Sequence, residues 1–348
     1  MSSIHMLCDE YRKIAHRLLS EAATDIDKKN LIPSTLLNDL RNEGFFSPGK
    51  SNLADLLCRV RSLAFYSPGV AHSVLVNASA WLAAGRPGQE GIYALSVTEP
   101  GGGTDIRSSL KTRAHENESG VFITGEKIFT SNAPYADYFI VLALGSGGPT
   151  LYMVPRSENV TYSLLEVSGL RGTGASIVRY HNARGKRIGV PGKGLKESLS
   201  GINLGRLGYA AIALGIADSA LSIIVKTGTS KTIFGKQLLE YQGIKWRITS
   251  IYSRITLLET LVSDLAEKGK DNWIIDPTKA SIAKNEGAKL AQDAAWAASQ
   301  ILGGRGLELW SLTERMQRDA RALDIGEGAR EVLLDFIASK AVKAYSSL

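Results

Sequence analysis

The chemistry-bearing residue with the most suggestive surroundings is Glu327, in the stretch Arg318-Asp319-Ala320-Arg321-Ala322-Leu323-Asp324-Ile325-Gly326-Glu327-Gly328-Ala329-Arg330. A lone carboxylate between two glycines can be turned sharply and aimed into a cavity, with the helix predicted from Val332-Leu333-Leu334 and Phe336-Ile337 to hold it there. That is good placement for a general base. A glycine-rich turn carrying a solvated Glu has the same residues, and such turns are common. A second stretch, Leu95-Ser96-Val97-Thr98-Glu99-Pro100-Gly101-Gly102-Gly103-Thr104-Asp105, can bring backbone N–H groups and the Thr104 hydroxyl close to an anionic or carbonyl-bearing ligand. No Gly-Lys-Ser/Thr follows it, so it is not a Walker loop. A third, Gln300-Ile301-Leu302-Gly303-Gly304-Arg305-Gly306, is a glycine turn at the end of an Ala-rich run.

The elements that must position these stretches change character twice. Residues 1–92 read as helices: Tyr11, Ile14, Ala15, Leu18 and Leu19 recur at three- and four-residue steps, and Leu36, Leu37, Leu40 and Phe45 follow the break at Asn30-Leu31-Ile32-Pro33-Ser34. A third helix is predicted through Leu53 to Phe65 and a fourth through Val74 to Leu82, each burying one stripe, before Gly85-Arg86-Pro87-Gly88. From 93 to 197, β-forming runs alternate with Gly, Asn and Pro: Tyr93 to Val97, Val121 to Thr124, Tyr138 to Leu142, Leu151 to Val154 and Ile177 to Tyr180. Short strands in succession predict a compact β-barrel or sandwich. Residues 198–348 return to helix, with Ile244, Ile248, Ile251, Ile255, Leu258 and Val262 as a bundle seam and Asp276-Pro277 as a helix start. The expected fold is therefore α+β and multidomain: an N-terminal helical domain, a central β-domain and a C-terminal four-helix bundle.

With 348 residues the chain can bury a large core in two or three units. No apolar run approaching the ~20 residues of a membrane span is apparent. The N-terminus, Met1-Ser2-Ser3-Ile4-His5, lacks a secretory pattern, so the expected location is cytoplasmic. In that setting a disulfide between Cys8 and Cys58 is not expected, and the sequons at Asn77, Asn117 and Asn159 carry no meaning. The five His residues lack ligand spacing, which argues against a metal site. The net charge of +7 suits either a nucleic-acid surface or a polyanionic small molecule, but Lys and Arg are spread along the chain rather than massed.

Together, in this order, the three stretches resemble the acyl-CoA dehydrogenase family of flavoenzymes, with its T-E-P-G-x-G-[ST]-D loop, Q-x-x-G-G-x-G turn and R-D-x(7)-E-G segment. The resemblance runs from about residue 90 to the C-terminus, and more loosely before it, where the helical domain is shortened. It implies FAD as cofactor. Leu95, Val97 and Thr98 would border the flavin, Gly103 and Thr104 would meet FAD or the substrate's CoA end, and Phe129-Thr130-Ser131 would pack beside the ring. Lys231 and Phe234, from Lys231-Thr232-Ile233-Phe234-Gly235, would meet the FAD pyrophosphate across a subunit interface. Gln242, Gln300, Gly303 and Gly304 would hold FAD from the neighbouring subunit, and Gly328 and Ala329 would lie by the ring. Asn203 and Arg206 take the positions beside the acyl-CoA. The pattern departs from the family at Phe129 for Trp, Ser131 for Thr, Lys231 for Arg, Gly326 for an aromatic and Ala329 for Thr. Lys231 keeps the charge without the bidentate fork.

The implied reaction is α,β-dehydrogenation of an acyl-CoA to the trans-2-enoyl-CoA, as in fatty-acid β-oxidation. Glu327 would remove the α-proton, flavin N5 would accept the hydride, and the electrons would pass to an electron-transfer flavoprotein. A site assembled from two chains implies a homodimer or homotetramer. Two other readings share the fold: a non-catalytic or DNA-binding flavoprotein, which predicts salt-dependent duplex binding, and a flavin monooxygenase or nitroalkane oxidase, which needs a different base.

Overall fold

The computed structural model describes residues 3–346, with side chains from Cys8 onward. Met1 and Ser2, part of the segment read for targeting, lie outside the described residues. The chain opens with α1 (Ser3–Leu19), α2 (Ala23–Lys29), α3 (Ser34–Asn42), α4 (Leu53–Ala64) and α5 (Pro68–Ala83). α4 and α5 start on side-chain caps: Asn52 accepts from the Asp55 N–H, and Ser67 accepts from the Val70 N–H with Pro68 in the first turn. Every residue of α5 is buried, because α4, α7 and strand β1 cover it, so the expected single stripe becomes a helix buried all round, with His72, Ser73, Asn77 and Ser79 among the buried residues. Only nine residues, 84–92, join α5 to β1. This short link is pinned by Trp81 Nε1 donating to the Pro87 carbonyl at 3.0 Å and by Arg86 lying over Trp81 and Trp273.

The central region holds β1 (Tyr93–Ser96), the short α6 (Ile106–Ser109), β2 (Arg113–Asn117), β3 (Gly120–Thr130), β4 (Tyr138–Gly145), β5 (Gly148–Pro155), β6 (Val160–Leu164) and β7 (Ser176–Arg187). β4, β2, β3, β7 and β5 pair in a closed circuit, with β1 parallel to β4 and β6 antiparallel to β7. The barrel encloses Ile123, Phe139, Val141, Tyr152, Val154, Val178 and Tyr180. The sequence reading missed β2 and β6. Both are largely exposed strands carrying polar residues, so neither shows an apolar run. β3 carries a register shift between Lys127 and Thr130. Phe129 sits inside it at φ 56°, and the irregularity turns its ring out of the barrel.

The C-terminal region comprises α7 (Gly194–Ser230), the hairpin β8 (Thr232–Ile233) and β9 (Lys236–Gln237), α8 (Gln242–Lys268), α9 (Pro277–Leu302), α10 (Leu312–Ile325) and α11 (Arg330–Tyr345). At 37 residues and with a window of mean hydropathy 1.8, α7 is long and apolar enough to cross a membrane, contrary to the sequence reading. Most of that window is buried inside the protein, where α7 packs against α4, α5, α8, α9 and α10 as the central helix. N-terminal and C-terminal helices share one continuous hydrophobic core. Arg61 of α4 reinforces the junction, pairing with Asp218 of α7 at 2.8 Å and Glu259 of α8 at 2.9 Å.

One expectation fails outright. Cys8 and Cys58 form a disulfide between α1 and α4, with Cα atoms 4.9 Å apart. The sequence argument rested on compartment; the helices place the two thiols face to face.

Candidate active site

Four residues, 326–329, link α10 to α11, and Glu327 occupies the left-handed region at φ 58°, where a non-glycine residue is held only by its surroundings. Those surroundings are two cations. Arg206 Nε donates to the Glu327 carbonyl at 3.1 Å, while its Nη1 donates to Asn203 Oδ1 at 3.0 Å. Lys284 Nζ, fully buried, donates to the carbonyls of Asp324 at 2.9 Å and Gly328 at 2.8 Å, clamping both ends of the turn. Burial pushes the Lys284 ammonium down to about 8, against the pull of Asp324 and Glu327.

The Glu327 carboxylate rests against Gly205 of α7, where an added Cβ would fall 2.5 Å from Oε2. Gly201 and Gly208, on the same stripe, let α5 approach through the Ser79 carbonyl and the Leu75 side chain. The carboxylate thus lies half-buried at the α5–α7 seam. Desolvation raises it to about 7, with Arg206 and Lys284 opposing. A carboxylate poised near neutrality is suited to proton abstraction. Gly326 is also explained: a Cβ there would collide with the hydroxyl of Tyr209, a wholly buried residue of α7. The aromatic missing from the loop is met by one on the helix.

The other motif residues divide between scaffold and surface. Glu99 is scaffold, accepting from the Lys111 N–H at 2.6 Å, the Thr112 N–H at 2.9 Å and Lys127 Nζ at 2.8 Å. Lys127 also donates to the Val97 carbonyl at 3.1 Å, and the Thr98 carbonyl accepts from the Ile128 N–H at 2.9 Å. The Thr-Glu-Pro turn is thereby fastened to β3 just before Phe129. Arg318 and Asp319 are likewise structural. Arg318 pairs with Asp27 at 2.6 Å, and Asp319 accepts from the Leu170 N–H at 2.6 Å, tying α10 to α2 and to the 169–172 loop.

Of the residues expected beside the flavin, Val97 and Ser131 are nearly buried, Leu95 and Thr98 are half-buried, and Gly103 and Thr104 are exposed. The Thr130 side chain does not face outward. It contacts the Ser96 hydroxyl at 3.2 Å, in a chain continued by Tyr180, and its backbone pairs with Ser176 of β7. Lys231 donates to the Ile301 carbonyl at 3.5 Å, which brings the β8–β9 hairpin to the end of α9. Phe234, Gln242, Gln300, Gly303 and Gly304 lie exposed on the helical surface, and Gly328 and Ala329 are half-buried beside Glu327. Asn203 and Arg206 are in the site, where their contacts are to each other and to the loop.

Sequence reasoning missed Gly205, Tyr209, His72 and Lys284. Lys284 left a signal, being a lone cation on the Ala-rich face of α9. The other three become visible only when α5, α7 and the loop meet.

Family models agree with this layout. That of the acyl-CoA dehydrogenase middle domain matches residues 94–183, and that of the acyl-CoA dehydrogenase C-terminal domain matches residues 192–342. A short-chain specific acyl-CoA dehydrogenase of Megasphaera elsdenii is 28% identical, covering 93% of this chain and 95% of its own. An acyl-CoA dehydrogenase of Bacillus subtilis is 32% identical over 69% of this chain and 65% of its own. The butyryl-CoA dehydrogenase structure from Megasphaera elsdenii superposes with a TM-score of 0.89 at 26% identity, covering 98% of this chain and 99% of that one. With its middle and C-terminal domains both matched and its fold shared, the chain belongs to the FAD-dependent acyl-CoA dehydrogenase family.

Proposed function

We propose that this protein oxidises a short acyl-CoA to the trans-2-enoyl-CoA with Glu327 as the α-proton base. The observation that carries the reading is the Glu327 carboxylate, seated on Gly205 and raised to about 7. The short-chain specific relative from Megasphaera elsdenii and the butyryl-CoA dehydrogenase structure from that organism favour a short acyl group.

The residues present fit a flavin. Phe129 offers a ring that is 61% exposed at the end of a strand whose neighbours Thr130 and Ser131 are buried, and it is turned outward by backbone geometry. Leu95, Val97 and Thr98 lie beside it on the fastened Thr-Glu-Pro turn. Gly303 and Gly304 meet nothing where a Cβ would stand, leaving room for close approach of a ligand. FAD, when bound, supplies the hydride acceptor for the substrate β-carbon. The chain's own work is on the other hydrogen. Glu327 takes the α-proton onto its carboxylate, and the Glu327 backbone N–H is the donor for the thioester oxygen as negative charge grows there. Arg206 and Lys284 keep the turn in its left-handed conformation and hold the base's pKa down against desolvation, so that part of the carboxylate is ionised at neutral pH. The acyl chain excludes water from the base.

The remaining cofactor contacts we assign to a second subunit. Phe234 is 94% exposed, and Gln300, Gly303 and Gly304 lie open beside the apolar side chains Leu307 and Leu309. Such a surface suits a homodimer or homotetramer in which each FAD is shared. The electrons would leave to an electron-transfer flavoprotein. Anaerobic titration of the holoprotein with a panel of acyl-CoAs tests the reading. Butyryl-CoA should bleach the flavin band, and Glu327→Gln should abolish bleaching while retaining flavin. Bleaching at the native rate in Glu327→Gln would remove the assignment.

A further inference from the structure

The α5–α7 seam beside Glu327 contains polar atoms that no protein group satisfies. His72 of α5 is 93% buried, and its Nε2 meets the Tyr209 hydroxyl at 3.3 Å, yet its Nδ1 has no partner. The Ser79 hydroxyl, seven residues on and so on the same helix face, is also buried without a partner. Between them lies Leu75, packed on Gly208. Across from this face stand Gly201, Gly205 and Gly208, with the Glu327 carboxylate on Gly205 and the Tyr209 hydroxyl against Gly326. A buried donor or acceptor left unpaired costs about 1–3 kcal/mol, a cost a plain hydrocarbon chain cannot relieve.

We propose that His72, held by Tyr209, is a specificity-determining residue that receives a hydroxyl group on the acyl chain, so that the substrate is a short hydroxyacyl-CoA. This rests on the dehydrogenase reading above. An acyl group with its α-carbon at Glu327 has the α5–α7 seam as its helical boundary, where Leu75 packs on Gly208 and His72 meets Tyr209. A carboxylate tail is disfavoured. His72 is neutral, since burial lowers it to about 4, and the cations Arg206 and Lys284 are engaged by the carbonyls of the turn. A hydroxyl suits either imidazole tautomer, because it can accept from Nδ1–H or donate to bare Nδ1.

The test compares 4-hydroxybutyryl-CoA with pentanoyl-CoA, which has a methyl where the first has its hydroxyl. Affinities are measured by calorimetry on Glu327→Gln holoprotein, where no turnover intervenes, and kcat/KM on the otherwise native enzyme. The hydroxyacyl thioester should be preferred by about 10- to 100-fold, the range expected when a buried polar group gains or lacks its partner. His72→Leu should erase or invert that ratio, and Tyr209→Phe should reduce it, whereas a merely structural role would lower both substrates alike. A native preference for pentanoyl-CoA, or a ratio unchanged in folded, flavin-loaded His72→Leu, overturns the proposal while leaving the dehydrogenase reading intact. Failure to bind either thioester overturns both.

Discussion

Gly205 lies directly beneath the carboxylate of Glu327, and its neighbour Arg206 holds the carbonyl of that same residue at 3.1 Å. One turn of α7 therefore positions both the carboxylate and the backbone of Glu327. Gly205→Ala places a methyl within 2.5 Å of Oε2, so the carboxylate must shift. We expect a loss of about 100-fold in kcat, the scale of a misplacement near 1 Å, with little change in melting temperature. An unchanged kcat would show that Glu327 works from another position.

The raised Glu327 carboxyl sets a pH dependence with a definite sign. Ionisation activates the base, so kcat/KM should climb with pH on an ascending limb centred near 7. Lys284→Met removes a cation that holds this value down and should move the limb to higher pH. Stability runs the other way. A carboxyl whose folded pKa exceeds its unfolded value binds more protons in the native state, so its contribution is complete below the unfolded value of 4.5 and is withdrawn as pH rises towards 7. Denaturant titrations across that window should show the slope in the native protein and not in Glu327→Gln.

On the proposed reading, Phe129 serves the flavin rather than the fold. Its ring is 61% exposed in the isolated chain, and Phe129→Ala should leave the melting temperature of apoprotein within a degree or two of native, about what a surface change costs. Flavin retention through gel filtration, read as the ratio of visible to ultraviolet absorbance, should fall. Full retention would exclude the ring from the cofactor wall.

The Cys8–Cys58 disulfide closes a loop with a sequence separation of 50 residues. Chain-entropy arguments assign such a closure about 4 kcal/mol, so reduction or Cys58→Ser should lower the unfolding midpoint markedly. The bond joins α1 to α4, and activity below the transition should persist. Equal midpoints with and without reductant would show that the thiols are unpaired in solution.

Much of this was legible beforehand. The β-domain was legible in its alternating β-formers, a local feature of the chain, whereas Glu327 was singled out by the resemblance of three separated motifs, since its flanking glycines suit a solvated turn equally well. β2 and β6 were not legible, since their exposed polar residues carry no apolar run. Thr130 was placed with the cofactor by its neighbours in sequence, but the register shift at Phe129 sends the two side chains in different directions. Tyr209 was hidden for a further reason. It occupies the space that Gly326 leaves empty, and two residues over a hundred positions apart show that exchange only once folded. The disulfide escaped because compartment, rather than helix geometry, was used to judge it.

The shared helical core has a consequence for synthesis. α4 and α5 cannot hide their apolar faces until α7 has been made, and the whole barrel is translated in between. The nascent N-terminal helices must therefore wait, greasy and uncovered, while a separate β-structure forms, and a chain interrupted before α7 is complete should be bound by chaperones rather than released as a folded half.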